Sequence, residues 1–292
     1  MGILNRLVRR VYAAAFAMSP RIGMYVRNRT LPWGRPTIAY LEFSLAEHCN
    51  MNCAGCMHYA PMAERRLANL ESLRRDFARL SELFGNIRQI RIMGGEPLLH
   101  PQADEAVRIV RSAFPKSRLS VVTNGLRLLG GLDDGIVRLL AAMHDADAAI
   151  DWTVYPPVAG RADEITSVCR RAGVRLNVES KPEFLARVLP KGGAGIRRSF
   201  RWCRERFFCP LLDDGRIYTC APARYAEYYN KAAGTKIPSG RGIDIGAASA
   251  KDILYYLMCP SFACSFCAEG ARSFGWKANG TPADWLYEKE SP

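Results

Sequence analysis

The sequence predicts an α/β protein: a partial (β/α) barrel of about five to six parallel strands, followed by a small C-terminal cysteine-rich domain. Three observations lead there. Short β-rich runs alternate with longer runs of helical period from Pro36 onward. Cysteines gather at short, regular spacings. After about Arg201 the βα periodicity gives way to cysteine, glycine and aromatic residues, as in a small domain stapled by metal rather than by a large core.

In chain order, Thr37–Leu45 reads as the first strand, and Leu67, Leu70, Phe77, Leu80, Leu83 and Phe84 mark a helix at three-to-four spacing. Ile87–Met93 is the second strand, followed by a loop and a helix over Ala103–Phe114. Arg118–Thr123 is the third, Gly131–Met143 the next helix, and Ala148–Tyr155 and Val174–Glu179 complete five strands. No sixth is evident, because Lys181–Ser199 holds the cluster Gly192, Gly193 and Gly195. Beyond it, Asp213-Asp214-Gly215 reads as a turn leading into a hairpin through Cys220. The expected units are a basic amphipathic segment over 1–35, the partial barrel over 36–200 and the cysteine-rich domain over 201–292.

A chain of 292 residues is long enough for a sizeable core, and 49% hydrophobic with 24% charged residues is ordinary globular composition. The net charge of +13 is not ordinary and points to an anionic partner, although Arg-rich helices alone can produce it. No run is long enough to span a bilayer. Near the N-terminus, Arg6, Arg9 and Arg10 precede the apolar run Val11–Met18, which mimics a secretory signal. However, Ile3, Leu4, Leu7, Val8, Val11, Ala15 and Met18 share one helical face opposite Asn5, Arg6, Arg9 and Arg10. That order fits an amphipathic helix that docks on the body of the protein or touches an anionic membrane peripherally.

Nine of the 10 cysteines fall into three groups: Cys49–Cys53–Cys56, Cys203–Cys209–Cys220 and Cys259–Cys264–Cys267. Disulfide partners need no short spacing, whereas metal ligands must converge, so these read as metal sites in a reducing compartment. Cys169, alone in a helical stretch, reads as a small buried apolar residue. Cys49-Asn-Met-Asn-Cys53-Ala-Gly-Cys56 directly follows the first strand, and its three thiolates can each take one iron of a cubane, leaving the fourth iron open. The rival is a structural zinc site completed by His48 or His58. Met93-Gly94-Gly95-Glu96-Pro97 ends the second strand on the same rim, as Thr123-Asn124-Gly125 ends the third. The two glycines allow close approach to a ligand, and Pro97 fixes Glu96. His100 reads as a satisfied loop histidine, Tyr225, Tyr228 and Tyr229 as a cover for the C-terminal domain, and Tyr155-Pro156-Pro157 as a strand-terminating turn that can also line the site. Glu42 and Ser44 can face the barrel interior.

From Pro36 to Glu179 this pattern resembles the radical S-adenosylmethionine superfamily. Cys49, Cys53 and Cys56 match its CxxxCxxC motif, and Gly94, Gly95, Glu96 and Pro97 match the GGEP motif that holds the methionine amino group. Thr123, Asn124 and Gly125 match a turn that often lies near the nucleotide. One departure is Gly55, where the family usually has an aromatic residue near the adenine. The resemblance implies a [4Fe–4S] cluster that cleaves S-adenosylmethionine to a 5′-deoxyadenosyl radical, which abstracts hydrogen from a substrate carbon. It also implies an external electron donor such as flavodoxin or ferredoxin, and a cytoplasmic location.

The C-terminal cysteines resemble the SPASM/Twitch extension of that superfamily, which binds an auxiliary [4Fe–4S] cluster. Cys220, Cys264 and Cys267 fit its ligand pattern, with the remaining ligand either Cys203 or Cys209, and one auxiliary cluster is expected. A zinc knuckle on the same ligands is the alternative. The expected substrate is a small, carbohydrate-like molecule, with or without a phosphate, to be oxidised or epimerised. This rests on the cysteine-loop composition and on the short chain before Thr37, which leaves no room for a peptide-recognition module. A peptide maturase ranks second. A zinc protein binding nucleic acid through its basic charge ranks third, because it gives the GGEP turn no role, and no nucleic-acid partner is expected.

Overall fold

A computed structural model describes residues 35–180, 183–206 and 209–287. The basic segment expected over 1–35 therefore lies, apart from Arg35, outside the described residues. The strands are β1 Thr37–Ile38, β2 Leu41–Ala46, β3 Asn86–Ile87, β4 Gln89–Gly94, β5 Arg118–Thr123, β6 Ala149–Val154, β7 Arg175–Ser180, β8 Glu183–Val188, β9 Leu211–Asp213, β10 Arg216–Tyr218, β11 Ile243–Asp244 and β12 Cys267–Gly275. The helices are α1 Leu70–Leu83, α2 Ala103–Ala113, α3 Asp134–Asp145, α4 Pro156–Ala159, α5 Ala162–Arg171, α6 Ile196–Arg206, α7 Ala221–Ala233 and α8 Ala250–Met258.

The main sheet runs β11-β10-β9-β2-β4-β5-β6-β7, and its stretch from β9 to β7 is parallel throughout. This is the expected partial barrel of about five to six parallel strands, with six present among the described residues. Alternation along β2 sets its faces: Leu41, Phe43 and Leu45 join the helix-covered core, where Phe43 meets Phe77 of α1 edge-on at 5.3 Å, while Glu42 and Ser44 take the inner face. Side-chain caps start the helices. Asn69 accepts from Ser72 N at 2.9 Å before α1, and Asp133 accepts from Ile136 N at 2.9 Å before α3.

Three expectations need correction. Thr37–Leu45 is two strands, because Thr37–Ile38 pairs with β3 and Leu41–Ala46 with β4. The first helix starts at Leu70, since Leu67 instead bridges to Ala46. The sixth parallel strand is Leu211–Asp213, on the opposite edge beside β2, while Glu183–Val188 leaves the main sheet to pair antiparallel with β12. A three-residue strand carries no readable period. The hairpin that follows it turns through Asp214 and Gly215, both at positive φ, as a two-residue primed turn requires. The expected boundary at 200/201 thus falls inside α6, and the sheet draws strands from both sides of it.

A second core holds Tyr225 and Tyr229 of α7 with Tyr59 and Trp285, so these tyrosines join the cysteine loop to the C-terminal chain. Tyr228 donates to buried Glu47. His100 is satisfied as expected: Nε2 lies 3.1 Å from Ala68 O, and Nδ1 accepts from Gln102 N. Cys169 is buried in the main core. Among the described residues no helix is long and apolar enough to cross a membrane.

Candidate active site

The tips of β2, β4 and β5 form one rim. The turn after β4 is stitched to the root of the cysteine loop by Gly95 N to Ala46 O at 2.7 Å and Glu96 N to His48 O at 3.0 Å. A Cβ on Gly94 would stand 2.3 Å from Ala46 O, and one on Gly95 2.1 Å from His48 O. The close approach these glycines permit is thus to the chain carrying Cys49.

Glu96 is 1% exposed and accepts from Leu98 N at 3.1 Å, Thr123 Oγ1 at 2.8 Å and Asn124 N at 2.9 Å. Burial pushes its carboxyl up to about 7 despite those three donors. A carboxylate has about four acceptor positions, so roughly one remains open. The Asn124 side chain turns to the cysteine loop, donating to Asn50 Oδ1 at 2.8 Å and toward Cys49 Sγ at 3.5 Å.

Cys49 Sγ also accepts from Met51 N at 3.3 Å, and Cys53 Sγ from the indole of Trp276 at 3.1 Å. Burial, then the neighbouring Glu96 charge, pushes the Cys49 thiol up to about 12. N–H groups aimed at sulfur suit thiolates, and thiols this buried ionise only when a cation offsets the charge. The loop therefore fits a metal cluster. Among the described residues no three His, Cys, Asp or Glu side chains group to hold one ion. A cubane, which takes one thiolate at each iron, spreads its ligands more widely.

At Gly55, φ is +71°, and a Cβ would stand 2.6 Å from the Phe274 ring. Aromatic surface at this point comes from β12 and β8 instead: Phe274 packs on Phe184, which stacks on Tyr155 at 5.9 Å.

Cys203, Cys209, Cys220, Cys264 and Cys267 line a single cavity, while Cys259 caps α8 outside that lining. None of the ten cysteines forms a disulfide. Burial raises Cys220, Cys264 and Cys267, the last to about 11. Arg187, 4% exposed, is a cation near them, held by Ala268 O at 2.9 Å and Gly270 O at 3.2 Å, and Arg204 lines the cavity beside Cys203. Those carbonyls lie where the β12 register shifts, and such a bulge leaves them without ladder partners.

Between the cysteine sites lies the inner face of the sheet. Tyr40 donates to Glu42 Oε2 at 2.8 Å, while Oε1 accepts no hydrogen bond and stands 3.6 Å from His58 Nε2, which makes none either. Asp151 takes Arg91 at 2.9 Å and Ser120 and Asn177 at 2.7 Å. Alternation in β2 flagged Glu42. Trp276 and Arg187 carried no sequence signal, because only long-range pairing brings them in.

Residues 43–179 match the model of the Radical SAM superfamily. A GTP 3′,8-cyclase of Chlorobaculum tepidum is 34% identical over 100 residues, covering 33% of this chain and 29% of that protein. The Homo sapiens molybdenum cofactor biosynthesis protein 1 is 34% identical over 92 residues, 31% of this chain and 14% of its own length. The chain thus spans under a third of these relatives. Among solved structures, BtrN in complex with AdoMet and 2-DOIA aligns over 79% of this chain and 92% of its own at TM-score 0.46 and 14% identity. Streptococcus suis SuiB bound to precursor peptide SuiA aligns over 85% and 74% at TM-score 0.42 and 10% identity. The cysteine loop, the GGEP turn and strands β4, β5 and β6 all lie inside the matched span, so residues 43–179 form a domain of the radical SAM superfamily of iron–sulfur enzymes.

Proposed function

We propose that the chain cleaves S-adenosylmethionine at a cluster held by Cys49, Cys53 and Cys56 and abstracts hydrogen from a small, carbohydrate-like substrate, in an oxidation or epimerisation. The observation that carries this reading is a polar inner sheet face lying between two cysteine sites. Glu42, Arg91 and Asp151 offer it hydrogen-bonding groups, and Glu42 Oε1 still lacks a donor. A hydroxylated ring supplies such donors, whereas an apolar substrate would leave that oxygen stranded at a cost of about 1–3 kcal/mol.

When bound, the cluster and nucleotide supply the electron and the carbon radical. The protein's residues orient and exclude water. Glu96, locked by Leu98, Thr123 and Asn124, keeps one acceptor position for the methionine ammonium. Gly94 and Gly95 hold that turn against the cysteine loop. We assign the second cavity to an auxiliary [4Fe–4S] cluster of SPASM/Twitch type on Cys203, Cys220, Cys264 and Cys267, with Arg187 offsetting its charge. An external donor such as flavodoxin or ferredoxin, in the cytoplasm, completes the scheme. The name of the GTP 3′,8-cyclase relatives keeps a nucleotide- or phosphate-linked substrate within this reading.

The test is anaerobic reconstitution followed by reduction with S-adenosylmethionine. The expected products are 5′-deoxyadenosine and methionine, formed slowly without substrate. Glu96→Ala should slow cleavage about tenfold or more at unchanged iron content, since a hydrogen bond to a charged group contributes about 1.5–3 kcal/mol. A reduced, iron-loaded protein that yields no 5′-deoxyadenosine overturns the reading.

A further inference from the structure

After β12 the chain does not leave the molecule; it crosses the primary cysteine loop. Ala54 N donates to Lys277 O at 2.9 Å and Asn279 N to Asn52 O at 2.7 Å, and Cys53 and Ala278 form an antiparallel bridge. The Asn52 side chain donates to Asn279 Oδ1 at 3.1 Å. Gly280 lies so close that a Cβ there would stand 2.5 Å from Ala54 Cα. Trp285 then donates to Cys56 O at 2.8 Å. The indole N–H of Trp276, 3.1 Å from Cys53 Sγ, is therefore held by main-chain pairing that begins at the next residue.

Indole nitrogen only donates, so this contact favours electron-rich sulfur. Adding an electron to an iron–sulfur cluster increases negative charge on its thiolates, and a donor at the sulfur stabilises the reduced form. We propose that Trp276 is a positioning residue for the primary cluster: its N–H holds the Cys53 sulfur and raises the reduction potential of a cluster on Cys49, Cys53 and Cys56. This rests on those cysteines holding a cluster, as proposed above. The same arm starts at Cys267, so one strand runs from the auxiliary cavity to the primary loop.

The experiment is an EPR-monitored redox titration of the reconstituted full chain, with the primary signal identified by its response to added S-adenosylmethionine. Trp276→Phe keeps an aromatic ring and removes the donor. The expected result is wild-type iron content with a more negative primary midpoint and an unshifted auxiliary one. A purely structural tryptophan would cost iron without moving the midpoint. In wild-type protein labelled with ¹⁵N-indole tryptophan, electron–nuclear double resonance should show a ¹⁵N coupling to the reduced primary cluster, a readout that needs no variant to fold. An unchanged midpoint at full iron, or no ¹⁵N coupling, overturns the role of Trp276 and leaves the cluster reading standing. Wild-type protein that binds no iron overturns both.

Discussion

Asp76 is a buried carboxylate on α1 whose Oδ2 accepts from Gly215 N at 2.9 Å, in the turn of the β9–β10 hairpin. Burial raises its carboxyl to about 6, with the Gly215 N–H and Arg75 opposing and Asp213 and Asp214 adding to the rise. The folded state thus holds this proton more tightly than the unfolded chain does. Its favourable contribution is complete below about pH 4 and is lost as pH climbs through about 6. Asp76→Asn keeps an acceptor for Gly215 and cannot ionise, so it should be the more stable protein at pH 7.5, by up to about 3 kcal/mol. Thermal unfolding from pH 5 to 8 checks this: the gap between variant and wild type should narrow toward pH 5, and a gap independent of pH would refute the assignment. Gly95 makes the opposite point. Its backbone lies against His48 O, so Gly95→Ala should displace the cysteine loop and lower primary iron content, whereas an alanine at exposed Gly160, which meets nothing within 4 Å, should leave iron unchanged.

Helix α6 favours Cys203 over Cys209, the two candidate ligands that spacing left open. Ser199 Oγ donates to Cys267 O at 2.7 Å, and Gly195 N to Glu269 Oε1 at 2.9 Å, which fixes the start of the helix against the Cys264–Cys267 segment. Cys203 lies four residues after Ser199, on the same face one turn along. Cys209 precedes β9, where Pro210 O accepts from Glu42 N at 3.0 Å; it lies beside Glu42 as well as Cys220 and Cys203, whereas Cys203 is a charged neighbour of all three of Cys220, Cys264 and Cys267. Cys203→Ala should therefore fall from about eight iron to about four, and Cys209→Ala should keep about eight. The reverse pattern in iron and sulfide assays would exchange their roles. Local pattern makes β5 legible to the residue, because Arg118–Thr123 is a short β-rich run that ends on a glycine turn. It also made the rim legible, since CxxxCxxC and GGEP act within a few residues of their strands. What stayed hidden was built by distant pairing: Leu211–Asp213 gains its place from register with Glu42 and Phe43, and Trp276 from pairing with a loop more than two hundred residues earlier.

At the scale of the molecule, the +13 charge and the polar chamber are separate features. Arginines of the outer helices pair along their own surfaces, as Arg79 does with Glu82 at 2.9 Å and Arg108 with Asp104 at 2.7 Å. Inside, Arg91 is tied to Asp151 and Arg187 to carbonyls of β12. The inner face therefore presents an acceptor at Glu42 more than a spare cation, and a substrate's phosphate is better placed at the basic outside than against this face. Salt should then weaken capture of a phosphorylated substrate, raising KM, with little effect on kcat, because exposed charges are screened beyond about 10 Å at 0.1 M while buried groups are not. Glu42→Gln should do the converse. It keeps the shape of the side chain, removes the charge that a substrate hydroxyl would meet, and should reduce substrate-stimulated cleavage about 10- to 100-fold. Cleavage without substrate should stay unchanged, because Glu42 touches neither the cysteine loop sulfurs nor Glu96. A screen of sugars, cyclitols and their phosphates, each assayed for stimulated 5′-deoxyadenosine formation in wild type and in Glu42→Gln, measures both effects. Stimulation that is equal in the two proteins would move the substrate off this face, and stimulation by peptides alone would replace the carbohydrate reading with that of a peptide maturase.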